Sequence, residues 1–315
     1  MSDRLNQIQD FMEKHGIPGR DGYALEASGK AFPDGANFRT EIAGVERAST
    51  MEAMIKEADK RGIVIHRVIA AVGGSTYCDA QELKDMAQMA NDAHIEVVMT
   101  VGHRKGWDVG GKEMATSEGR MQGFRLRGSD NISFHIADIM RSIDAGFRGF
   151  LSYDEGVLFI LNKMRKEGVI PAETFFKFSV FGGYCNAAGA KVIENLGANS
   201  FNPISDVSRP ILSSIRKAIH IPLDIYTIVP NSFGGNFRAY EAPEIAKVAS
   251  PCYLKYEPGT SEEDIYMPWV TEEWHENFIK EKVKIASIVN EIMDKHAPEM
   301  KTSPKGAKDL VLTKV

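Results

Sequence analysis

A chain of 315 residues, 43% of them hydrophobic, can bury a large core, and its length suits one α/β barrel of about 250 residues with extensions as well as two smaller domains. A formal charge of −5 and a pI near 6.0 supply no basic field for a nucleic-acid backbone, and no block of like charge interrupts the chain. The first residues are charged and helical in pattern, unlike a signal peptide, and no apolar run approaches the ~20 residues of a membrane span, so the expectation is a cytoplasmic protein without nucleic-acid or membrane partners.

In chain order, a first helix (about Arg4 to Lys14) leads into the Gly- and Pro-punctuated loops GIPGRDG and FPDGAN. NFRTEIAGV reads as a strand and STMEAMIKEADKRG as a helix, with Ser49 or Thr50 as N-cap and Gly62 as the stop. The unit then repeats. VIHRVIAAVGG precedes the helix DAQELKDMAQMANDA, and IEVVMTVGHR precedes a long loop and NISFHIADIMRSIDAG. FRGFLSYDEG is followed by VLFILNKMRKEG, FFKFSVFGG by NAAGAKVIENLG, and NSFNPISD by SRPILSSIRKAI. PLDIYTIV is followed by APEIAKVA, and PCYLKYE by EEWHENFIKEKVKIASIVNEIMDKH.

Eight strands each trailed by a helix predict a parallel sheet closed into a (βα)8 TIM barrel over residues 36–297, after an N-terminal helix and leading loop at 1–35. Residues 298–315 are Lys-, Ser- and Pro-rich and read as a flexible tail or an arm between copies in a homo-oligomer, for which Trp269 and Trp274 could also cover a partner barrel. The alternative is a doubly wound open sheet, which usually opens on a Gly-rich first turn; GxGxxG is absent.

A barrel carries its site where strands hand over to the following loops. Those ends hold Gly73-Gly74-Ser75-Thr76, Gly102-His103-Arg104, Tyr153-Asp154-Glu155, Gly182-Gly183-Tyr184-Cys185-Asn186, Asn202 to Asp206, and Lys255-Tyr256-Glu257. Lys177 shares a strand face with Ser179 and points into the lumen if its Phe neighbours pack outward. There it is either a base or Schiff-base nucleophile, or one half of a buried ion pair with Asp224, Glu257 or Glu41; Lys255 has the same two readings. Asp154 or Glu155 is a general acid/base or a ligand for Mg or Mn, with Asp206, Glu257 and His103 as further metal candidates, or else an N-cap for the helix that follows. Arg104, Arg125, Arg127 and Arg238 lie in loops on the catalytic side and suit an anionic small-molecule substrate, the alternative being staples to Asp154, Asp206 or Glu241. Asn202, Tyr226, Asn231 and Glu241 complete the substrate-binding candidates. Asp224, Tyr226, Tyr253, Lys255 and Glu257 alternate onto lumen faces beside Arg39 and Glu41, which reads as an ion-pair lattice supporting the site. The three cysteines, Cys78, Cys185 and Cys252, are scattered and read as free thiols; Cys185, at a barrel mouth, is a conceivable nucleophile or a packed side chain. His66, His94, His135 and His220 read as structural.

The run of FRTEI, GHRKGWD, RLRG, YDEG, KFSV, FNPISD, PLDIY, GGNFRAYEAPE and YLK resembles the collagenase-like peptidase family of unknown catalytic type, over about Phe32 to Trp269. The resemblance implies a TIM barrel and offers a peptidase or amidase reading. Its peptidase and RNA-modifying members carry a cysteine-rich signature, in the latter holding an iron–sulfur cluster; this chain lacks it, so no iron–sulfur cluster is expected. An acidic residue common before Pro after PLDIY is also replaced, by the run Ile228-Val229-Pro230-Asn231. The residues favour a lyase, aldolase or isomerase with Lys177 and Asp154 or Glu155 moving protons; the alternatives are a hydrolase or a ligand-binding barrel without catalysis.

Overall fold

The computed structural model describes residues 3–101, 125–267 and 269–315. Eight parallel strands close into a barrel in the order in which they occur: β1 (Phe38–Val45), β2 (Arg67–Ala70), β3 (Glu96–Met99), β4 (Gly149–Ser152), β5 (Phe175–Phe178), β6 (Ser200–Phe201), β7 (Leu223–Ile228) and β8 (Cys252–Tyr256). Helix α1 (Asp3–Lys14) precedes them. The outer layer follows as α2 (Ala48–Arg61), α3 (Ala80–Asp92), α4 (Gly128–Asp144), α5 (Glu155–Lys166), α6 (Ala187–Leu196), α7 (Arg209–Ala218) and α8 (Ala242–Ala249), with α9 (Glu262–Ile265) and α10 (Glu272–His296) after β8. The TIM barrel expected from the strand–helix alternation is the fold.

Because successive side chains on a strand point to opposite faces, each strand sends one set outward and one into the lumen. Ile42, Val68, Val97, Phe150, Phe176, Phe178, Phe201, Ile225 and Leu254 belong to the large core beneath the helices. The inward set varies along the strands. On β1 to β3 it is charged toward the floor, with Glu41, Arg67 and Glu96 buried, and apolar further along, where Ala43, Ile69 and Val98 form one cluster with Leu151 of β4 and Phe175 of β5. On β5 to β8 it is polar, with Lys177, Ser200, Asn202, Asp224, Tyr226, Lys255 and, just beyond β8, Glu257, all buried.

Two local expectations need correction. Helix α2 begins at Ala48, one residue before the expected caps, with Arg47 in the N-cap position; the free Ala48 N–H is taken by Glu82 of α3, which also binds Arg47 at 2.6 Å. Gly62 ends the helix as expected, in the left-handed conformation that glycine adopts without strain. The second correction is larger. Residues 298–315 are not a loose tail but a strap across the floor of the barrel. Thr302 forms a parallel bridge with Phe38, Ser303 accepts from Arg39 Nε at 2.8 Å, and Asp309 holds the other two Arg39 nitrogens at 2.6 and 3.0 Å. Val311 N–H donates to Glu96, the Thr313 hydroxyl to Ala87 O, and Lys314 N–H to Gly146 O. These bonds satisfy buried charged groups that the strands alone leave open at the barrel floor. Among the described residues no helix is long and apolar enough to cross a membrane.

Candidate active site

The lumen contains two stacked networks. In the lower one, Lys177 Nζ lies 2.9 Å from Glu41 and 2.8 Å from Asp224, and none of the three side chains is exposed. Arg67 joins them, 2.5 Å from Glu96, 3.0 Å from Asp224 and 3.4 Å from Glu41, with its guanidinium stacked 3.6 Å above the Tyr253 ring. Burial pulls the Lys177 ammonium below its ordinary pKa, while Asp224 and Glu41 pull it back. Burial also opposes ionisation of Asp224, but Lys177 and Arg67 outweigh it and hold that carboxyl below the usual range. The buried ion pair foreseen as the alternative role for Lys177 is therefore formed, and formed twice.

The upper network starts at Lys255. Its Nζ donates to the Tyr226 hydroxyl at 2.7 Å, which donates onward to Glu257 Oε2 at 2.8 Å. The other oxygen of Glu257 accepts the Tyr266 hydroxyl at 3.0 Å, and Lys282 Nζ donates to that hydroxyl at 2.9 Å and to Ala43 O at 2.8 Å. The result is a continuous chain, Lys255 to Tyr226 to Glu257 to Tyr266 to Lys282. Asn202 Oδ1 lies 3.4 Å from Lys255, fixed because Asn202 Nδ2 donates to the carbonyls of Pro203 and Asp224. Burial opposes the Glu257 charge, yet Lys255, Lys282 and the two phenols hold its pKa below the carboxylate norm. Glu257 is thus an anion in a water-poor site.

Charge is sorted along the barrel axis. Within the lower contacts Arg67 and Lys177 face three carboxylates, Glu41, Glu96 and Asp224. Within the upper ones Lys255 lies 3.5 Å from Glu257, and both Lys255 and Lys282 lower the pKa of that carboxyl. The lower contacts thus carry more carboxylates than cations, while Lys255 and Lys282 converge on Glu257 at the end nearer the mouth.

Tyr266 and Lys282 lie outside the strands and were not among the expected site residues. Lys282 carried a legible signal: it sits between Ile279 and Ala286 on the buried face of α10, where a lysine needs a partner. Room for both comes from Gly44, at φ +88° beside a register shift in β1; a Cβ there would run into Lys282 Nζ and the Tyr266 side chain.

The rim residues are mostly occupied. Asp154 caps α5, its carboxylate accepting from Val157 N at 3.0 Å and Leu126 N at 3.0 Å. Glu155 pairs with Arg125 at 2.5 Å, and Arg125 also donates to Gly182 O. Burial and then Glu155 raise the Tyr184 pKa beside them. Arg127 is exposed at the N-cap of α4. Arg238 is stapled to Val207 O and Glu241 at 3.0 and 2.9 Å, while Asn231 and Asp206 are exposed. His103 and Arg104 lie outside the described residues. Of the metal candidates, Glu257 is enclosed by phenols and Lys255, and Asp154 by backbone donors. Among the described residues no group of three or more His, Cys, Asp and Glu is placed to hold a metal ion. Cys185 is half-buried against the core; Cys78 and Cys252 are buried, which pushes both thiols up to about 12.

No family model and no curated protein matches the sequence, so the family resemblance rests on its motifs alone. Among solved structures the chain is similar to a fructose-1,6-bisphosphate aldolase homologue from Coccidioides immitis, at 10% identity and a TM-score of 0.48 over 94% of this chain and 98% of that one. It is similar to the YdjI aldolase from Escherichia coli K12, at 13% identity and 0.46 over 81% and 90%, and to a U32 peptidase, at 13% and 0.39 over 71% and 94%. Likeness this loose carries no argument about chemistry.

Proposed function

We propose that the protein is an enzyme binding a small anionic metabolite at the C-terminal mouth of the barrel and performing lyase, aldolase or isomerase chemistry by proton transfer, with Lys255 as the group that meets the substrate. The observation that carries this reading is the hydrogen-bonded run from Lys255 through Tyr226 to Glu257, at 2.7 and 2.8 Å. Lys177 is a poorer choice than Lys255, because two carboxylates already occupy its ammonium and it has no exposure at all. A phenol between an amine and a carboxylate can give a proton to a substrate oxygen and regain one from the amine, the carboxylate keeping its orientation throughout. The same amine, once deprotonated, can add to a carbonyl carbon and expel water to give a Schiff base. The Lys255 ammonium at the head of this run supports the anionic class. Arg125 adds a half-exposed guanidinium at the rim, suited to carboxylate or phosphate.

The test is borohydride reduction in the presence of 2-oxo acids, read by intact mass and peptide mapping. A stable adduct on Lys255, absent from Lys255→Arg, is the expected result. Exchange of the substrate's α-hydrogens for deuterium, followed by NMR, tests the proton-transfer form that needs no adduct. Neither adduct nor Lys255-dependent exchange with any substrate that is turned over would remove Lys255 from the reaction.

A further inference from the structure

Outside the lumen, a pocket of about 200 Å3 lies between the leading loop, α7 and α8. Its wall includes Lys30, Arg216 and Lys217 with the hydroxyl-bearing Ser28 and Ser213, and the carboxylate of Glu26. Three cations against one carboxylate leave a clear positive excess. Glu26 is moreover committed to Lys217, at 3.1 Å on the exposed edge.

Arg216 is the unusual member. It is 1% exposed, yet its guanidinium reaches only backbone: Nη1 donates to Ile221 O at 2.8 Å and Nη2 to Ile219 O, while Nε has no acceptor among the described residues. Buried guanidinium groups are ordinarily matched by a carboxylate, because the desolvated charge is otherwise uncompensated. Lys30 approaches the same place and is likewise held by carbonyls, those of Arg216 and Ile219 at 3.1 and 2.8 Å. Burial lowers the Arg216 pKa to about 10, only partly offset by Glu194. The Lys30 pKa is lowered by burial and then by Arg216 itself. The two cations therefore repel each other across a pocket whose one carboxylate, Glu26, is paired with Lys217.

We propose that this pocket is a binding site for a tetrahedral oxyanion, either inorganic phosphate or the phosphoryl group of a small metabolite. Its volume equals roughly six or seven waters at ~30 Å3 each, enough for one phosphoryl group with a short stem or a few waters. Arg and Lys together provide the planar and point-charge donors that phosphate oxygens accept from. The site is independent of the reading of the barrel mouth.

Calorimetric titration of the full chain with inorganic phosphate at constant ionic strength, repeated with glycerol 3-phosphate, tests it. One saturable site is expected. Lys217→Glu, a half-exposed change at the pocket edge, and Arg216→Gln should each weaken binding about tenfold or more, the loss typical of a charge-assisted hydrogen bond. Lys255→Met, in the lumen, should leave it unchanged. Tighter binding of the phosphomonoester assigns the site to an organic phosphate, and equal or weaker binding to the free ion. The proposal fails if no saturable binding is seen, if Lys217→Glu binds as the parent does, or if Lys255→Met abolishes binding and so moves the anion to the lumen.

Discussion

Replacing Lys177 by Met separates a structural ammonium from a catalytic one. The side chain is unexposed and lies between Glu41 and Asp224 at 2.8 to 2.9 Å, so the substitution removes the charge while roughly keeping the volume. Glu41 and Asp224 are then left to share Arg67, which already binds Glu96 at 2.5 Å. Three carboxylates against one guanidinium cannot all remain ionised in a dry lumen. Breaking one side of a buried ion pair costs about 3–5 kcal/mol, and the two-fold pairing here points to the upper part of that range. The pH dependence supplies a signature. In the parent, Asp224 has a folded pKa below its unfolded one, so its contribution is present above about pH 4 and fades as acid protonates the folded state. In Lys177→Met the folded pKa of Asp224, opposed by burial and stripped of its first partner, rises above the unfolded value, so the deficit is largest at neutral pH and shrinks on acidification. Urea unfolding at pH 7.5 and pH 5 measures both. A loss below about 1 kcal/mol, or a deficit that does not shrink at pH 5, would refute the ion-pair account and return Lys177 to the list of reactive groups.

Asp154→Ala should lose about 1 kcal/mol as a helix cap, while Asp154→Asn, which keeps an acceptor, should lose only a few tenths; a large loss of activity in Asn at unchanged stability would instead make Asp154 a proton donor or ligand. His66 is held neutral, Nδ1 accepting from Thr40 N–H and Nε2–H donating to Ser303 O, and burial lowers its pKa from 6.5 to about 4. Its stability contribution is therefore full above pH 6.5 and lost as pH falls through 4, about 2 kcal/mol of it between pH 7 and 5. Urea midpoints at these two pH values should diverge more in the parent than in His66→Gln. Gly44→Ala combines a positive φ with a collision at Lys282 and Tyr266, and should lower thermal stability and disturb the tyrosine near-ultraviolet signal together; an unchanged spectrum would argue against a Gly44-gated network.

The architecture was legible because each element carries its own periodicity, two in the strands and 3.6 in the helices, and neither depends on what it packs against. Alternation alone also put Asp224, Tyr226, Lys255 and Glu257 on lumen faces, and the Asp-Glu-Gly run announced the cap at Asp154. The strap was not legible. KTSPKGAK has a loose composition, and what orders it is a set of buried groups, Arg39, His66 and Glu96, drawn from three strands or their approaches. Nor could spacing reveal the lysine-to-lysine chain, because two of its five members arrive from segments after the barrel has closed. The arginines illustrate the opposite failure: residue type suggested an anion clamp, whereas Arg238 and Arg125 spend part of their donors on nearby carbonyls and carboxylates.

The strap makes the first three strands answerable to one another through a segment that belongs to none of them. Arg39, the His66 ring and Glu96 are each bonded to it, so lifting residues 302–311 would undo contacts at three neighbouring staves at once. Local opening of that segment is then a cooperative event, not end fraying. In hydrogen exchange the amide of Val311 would act as a reporter for the floor of the barrel, keeping time with β1 to β3 instead of with the chain end to which it belongs.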